Sequence, residues 1–131
     1  MLFWTCGIVC HVVYGYYYCA IMSNLCRNWN VLCWNVRGLN SDARQRDIRA
    51  KIEESHCSII CLQETKCEQF DIRKIWSFCP RHVDQFAFSP SVGASGGILV
   101  IWNSTVFEGE LVESQHFSIV VSFKSVHNSE R

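Results

Sequence analysis

The sequence predicts an α/β fold with a mixed sheet, and three observations carry that reading. Two short apolar runs, at residues 31–36 and 59–63, each give way to a polar side chain at their carboxyl ends, Asn35 in the first and Glu64 after the second. Between them lies a polar stretch, residues 41–55, in which Ile48 and Ile52 stand one helical turn apart. Two later segments, 106–111 and 117–123, run or alternate apolar as antiparallel strands do. Strand, helix, strand is the unit that delivers a carboxamide and a carboxylate to one rim, because side chains emerge into a cleft where buried strands end.

The elements follow in order. Residues 1–26 contain no Asp, Glu, Lys or Arg, and 2–22 form a hydrophobic stretch long enough to span a bilayer. It lacks the positive start and small-residue cleavage site of a secretory signal, and the tyrosines crowded at 14–18 suit an interface better than a membrane centre. The expected organisation is therefore a leader over 1–26, either a membrane anchor or an extension outside the domain, followed by a domain over 27–131, with an extra core segment as the remaining reading of 2–22. If 2–22 insert, Arg27 and Arg37 on the flank keep the remainder cytosolic. A start at Met22 would place the first domain strand close to the amino terminus.

After the strand at 31–36, residues 37–40 form a turn on Gly38, and Ser41 or Asp42 caps the first helix. A second helix is expected over about 68–78, with Ile72, Ile75 and Trp76 on its apolar side and Pro80 beyond its end. Phe86-Ala87-Phe88 then precedes a small-residue loop at 90–97 and the apolar run 98–102. The loop is not a phosphate-binding P-loop, since no helix opening on Lys-Ser or Lys-Thr follows it. A hairpin turn needing positive φ accounts for its glycines. The last two strands are expected to join near Ser114.

Composition narrows the class. The chain has 131 residues, zero formal net charge and 49% hydrophobic content, which suits one small folded domain and excludes a global basic field for nucleic acid. A local basic stretch remains at Arg37, Arg44, Arg46, Arg49 and Lys51. Nine cysteines occur without a Cys-x-x-Cys or a paired-His spacing, which argues against zinc and fits a reducing intracellular compartment. The nearest alternatives for a metal are Cys6, Cys10 and His11, or Cys57, Cys61 and Cys67.

The segments Trp34-Asn35-Val36-Arg37-Gly38-Leu39 and Leu62-Gln63-Glu64-Thr65-Lys66 resemble the start of the endonuclease/exonuclease/phosphatase superfamily. Within it the likeness is greatest to the apurinic-endonuclease-like domain of plant LINE-type (non-LTR) retrotransposons. It extends over roughly residues 31–128, about the first half of such a domain. The resemblance implies a four-layered α/β sandwich, with the second sheet supplied by residues beyond 131. It implies catalytic roles for Asn35 and Glu64, Mg²⁺ (or Mn²⁺) weakly held by Glu64 with Asn35 beside it, and substrate contacts from Arg37 and Lys66. DNA is the partner it implies, and the nucleus the place if DNA is the substrate.

On the residues alone, Glu64 reads first as a strand-end carboxylate in an ion pair with Lys66 or Arg37, and Asn35 also reads as the cap of the 37–40 turn. The chain also departs from the family's pattern. It contains neither a Gly-Asp-Phe-Asn-like nor a Ser-Asp-His-like motif, and no Asp follows Asp84. The expectation is a truncated endonuclease domain that is inactive by itself. Two alternatives stand beside it: a membrane-tethered, non-catalytic interaction protein, and a phosphodiesterase of the same superfamily with a phosphoinositide or RNA substrate. A missing partner sheet would also leave Phe88, Leu99, Ile101, Phe117, Ile119 and Val121 on an exposed, self-associating face.

Overall fold

In the computed structural model, residues 7–13, 16–21, 31–93, 95–115 and 118–126 are described. The two apolar runs that open the domain become β3 (Val31–Asn35) and β4 (Ile59–Gln63), paired in parallel with Asn35 opposite Gln63. A parallel pair needs a crossover, and α1 (Asp42–Ser55) supplies it, buried on the stripe of Ile48 and Ile52. Ser41 caps it by accepting from the Arg44 amide at 3.1 Å. Burying each isoleucine contributes roughly 1.5–3 kcal/mol.

The first sheet has the order β3-β4-β6-β5, with β5 (Gln85–Ser89) and β6 (Ile98–Trp102) joined as an antiparallel hairpin. Mixed pairing is thus present as expected. Strands β4 and β6 are buried at every position, and alternation explains their unbroken apolar runs. Ile60, Leu62, Leu99 and Ile101 face the helices, whereas Ile59, Cys61, Val100 and Trp102 face a second sheet. The β3 run differs: it lies at the sheet edge among the described residues and is only half-buried.

That second sheet corrects the sequence reading. It lies within the chain, in the order β2-β1-β8-β7. Its strands β7 (Phe107–Gln115) and β8 (Ser118–Ser125) are the expected antiparallel pair. Strands β1 (Gly7–Val13) and β2 (Tyr16–Ile21) come from the charge-free amino-terminal segment, and β1 pairs with β8 from Gly7↔Lys124 to Val13↔Ser118. Among the described residues no helix is long and apolar enough to cross a membrane.

The face expected to lie exposed is covered. Leu99 and Ile101 pack under the helices, Ile119 and Val121 between the sheets, and all four are almost fully buried. Phe88 is half-buried against the Phe70 ring at 5.3 Å. Phe117 lies outside the described residues. Among the described residues, Leu99, Ile101, Ile119 and Val121 contribute no exposed apolar face.

Helix α2 (Ile72–Phe78) is shorter than expected. Asp71 is extended at φ −137° and caps the helix by accepting from the Lys74 amide at 2.8 Å. Residues 68–71 therefore lead into the helix, and Phe70 packs against β5. Ile75 is buried, while Trp76 is half-buried beneath the Arg81 guanidinium, 4.7 Å from the ring centroid. The β7–β8 connection falls at 116–117, later than Ser114. Ladder pairing carries β7 through exposed residues after its apolar signal has ended, with a bulge between Leu111 and Glu113.

Candidate active site

Because β3 and β4 run in the same direction, their carboxyl ends meet at one rim. The chains leaving them stay in register. The Val36 amide donates to the Gln63 carbonyl at 2.9 Å, Gly38 to Glu64 at 2.7 Å and Leu39 to Thr65 at 3.1 Å. This paired exit sets Asn35 beside Glu64. Asn35 Nδ2 donates to Glu64 Oε2 at 2.6 Å, and Asn35 Oδ1 accepts from the Arg37 amide at 3.2 Å. One carboxamide thus orients the carboxylate and caps the turn, so the two readings of Asn35 are compatible.

The rim backbone is unusual. Arg37, Glu64 and Lys66 have φ of 54°, 57° and 58°, in the left-handed region that L side chains seldom occupy. Such conformations cost on the order of 1–3 kcal/mol each, and surrounding structure must hold them. A third segment does so: the Thr65 amide donates to the Gly97 carbonyl at 3.1 Å, and the Lys66 amide to Gly96 at 2.9 Å.

Arg37 and Lys66 are both exposed. Neither forms an ion pair with Glu64, since the ion pair found among the described residues is Lys124–Glu108 at 3.4 Å. The Lys66 stem lies beside Gly38, with Cδ 3.7 Å from where a Cβ would stand. Of the basic stretch, Arg49 is committed elsewhere, donating to the Trp76 carbonyl at 2.7 Å and tying α1 to α2. His82 precedes β5, whose first residue registers with Trp102 and, through it, with Ile59 at the end of the sheet opposite Glu64. His116 lies outside the described residues.

The model of the endonuclease/exonuclease/phosphatase family matches residues 32–121, a span from β3 into β8 that includes Asn35 and Glu64. The chain belongs to the endonuclease/exonuclease/phosphatase family. Comparison with curated proteins gives no match.

For this family member, the donor set at the rim is one carboxylate with a neutral amide. Glu64 Oε1 accepts no hydrogen bond among the described residues, and the site opens to solvent. Mg²⁺ takes oxygen donors, commonly one or two carboxylates with water completing the shell, so these residues fit a loosely held hard cation. Among the described residues no group of three His, Cys, Asp or Glu side chains converges as a metal cage. Cys61 and Cys67 are buried and Cys57 is half-buried. The side chains of Cys6, Cys10 and His11 lie outside the described residues.

Sequence reasoning named Asn35, Glu64, Arg37 and Lys66 as candidates and did not single out Thr65 or Gly97. Thr65 is completely buried between two exposed or half-exposed neighbours, and its hydroxyl accepts from the Cys67 amide at 3.3 Å. The signal was the Gly96-Gly97 pair ahead of an apolar run, read only as a hairpin requirement.

Proposed function

We propose that this family member is a phosphodiesterase of the LINE-type apurinic-endonuclease lineage, with DNA as its partner and Mg²⁺ or Mn²⁺ as its cofactor. The hydrogen bond from Asn35 to Glu64 is the observation that carries the reading. It holds one carboxylate oxygen and leaves the other without a hydrogen bond among the described residues, at the end of a parallel strand pair. In the proposal Glu64 is the metal ligand, Asn35 fixes its orientation, and Arg37 and Lys66 hold the phosphates on either side. When bound, the metal polarises a phosphoryl oxygen of the scissile diester.

Hydrolysis further needs a base for water and a group to stabilise the leaving oxygen. The 131 residues contain no Asp after Asp84 and neither later family motif. By themselves they are proposed to bind metal weakly without turning over DNA. Calorimetric titration with Mn²⁺ tests the first part: weak binding is expected in the parent chain and none in Glu64→Gln. Equal binding in the two removes Glu64 from the site. Supercoiled plasmid in Mg²⁺ tests the second: no nicking is expected above a background that survives the Asn35→Ala, Glu64→Ala double variant. Nicking abolished by either single substitution overturns it.

A further inference from the structure

The Glu64 carboxylate is delivered by a backbone that is strained on both sides of Thr65. Glu64 and Lys66 are both left-handed, and Thr65 between them is fully buried. What opposes Thr65 is Gly97, at φ +95°, where the chain enters β6. Its carbonyl accepts from the Thr65 amide, and the preceding carbonyl accepts from the Lys66 amide. A Cβ on Gly97 would stand 2.3 Å from Thr65 Oγ1, 3.1 Å from the Lys66 nitrogen and 3.4 Å from Ser91 Cβ. The first distance is far inside contact, and the atom it meets is the short, branched side chain of a buried residue, which has no open space to swing into. The same Oγ1 accepts from the Cys67 amide, so displacing it disturbs the segment beyond Lys66 as well.

We propose that Gly97 and Thr65 are positioning residues for the Glu64 carboxylate. The β5–β6 hairpin, which contributes no side chain to the Asn35–Glu64 pair, thereby sets where that carboxylate points. The inference rests on the reading of Glu64 as the metal ligand, but the position of the carboxylate can be read without metal. Gly97 and Gly96 together clamp the main chain on either side of Thr65, and Thr65 transmits the contact to Glu64 one residue away.

The Asn35 side-chain amide, followed by nitrogen–proton correlation NMR, reports the hydrogen bond to Glu64, and Glu64→Ala defines its position when that bond is lost. Gly97→Ala is expected to move the Asn35 amide resonance most of the way to the Glu64→Ala position while the resonances of β7 and β8 stay in place. Gly93→Ala is the control. Gly93 also has positive φ, +62°, in the same loop, yet a Cβ there meets nothing within 4 Å. Its substitution shares the conformational penalty and is expected to leave the Asn35 amide unmoved. If Gly97→Ala does not fold, Thr65→Val decides: it keeps the shape of Thr65 but removes the hydroxyl, and a smaller shift in the same direction is expected. An Asn35 amide unchanged in the folded variants, or moved equally by Gly93→Ala, overturns the proposal. Failure of Mn²⁺ to bind the parent chain would instead overturn the metal-ligand reading, leaving the NMR result to judge the positioning role.

Discussion

Individual residues on this chain carry more than their own packing. Cys79 closes α2 and is about 1% exposed, and burial pushes its thiol well above the ordinary range, with the Arg49 guanidinium pulling weakly the other way. The folded state therefore keeps the proton that the unfolded chain loses above about pH 8.5. Stability from this group is complete below the unfolded pKa and declines as pH rises from there toward the folded value. Denaturant unfolding at about pH 8 and pH 10 should show a steeper loss in the parent chain than in Cys79→Ala. Equal losses would mean that the thiol ionises alike in both states. At the rim, Asn35 and Glu64 were legible because a polar residue closing an apolar run is a strong local signal. Thr65 was not, since nothing in Gln-Glu-Thr-Lys says which members are buried; in the fold they are Gln63 and Thr65, while Glu64 and Lys66 have positive φ and are half-exposed and exposed.

At the scale of elements, the pattern located helices and strands better than it located their ends or neighbours. The crossover helix was readable from Ile48 and Ile52 and from its cap. Ser41→Ala should cost about 1 kcal/mol through the lost bond to the Arg44 amide. Thermal unfolding of that variant checks it, and a Tm equal to the parent's would show the cap to be idle. Helix α2 was overextended because Glu68 to Asp71 are compatible with a first turn, while the Asp71 side chain in fact ends the preceding loop. β3 and β4 look alike in sequence, yet only β4 is buried at every position. Edge or centre depends on partners that a run of five residues does not encode.

For the whole molecule, the largest difference from the sequence reading is where the second sheet comes from. A charge-free segment satisfies a bilayer and a buried sheet alike, so composition does not choose between them. In the fold β1 lies along β8 from Ser118 to Lys124, between it and β2. Removing residues 1–21 would unpair the inner edge of β8 from Ser118 to Lys124. A chain beginning at Met22 is expected to bind a hydrophobic dye and elute as larger species, because an open strand recruits other chains. A dye-negative, compact monomer at tens of micromolar (about the range in which partly unpaired domains associate) would show that β8 does not need that cover.

The opposite edge of the same sheet is built otherwise. β7 offers nine residues to whatever lies outside, with Leu111 and Val112 exposed, and its ladder with β8 skips between Leu111 and Glu113. The extra residue breaks the two-residue repeat on which a strand must be copied. A neighbouring molecule that aligned with Phe107 to Leu111 would be out of step beyond Val112, its apolar side chains turned to the wrong face. The edge can be touched along part of its length, but it cannot serve as a template for a growing fibre.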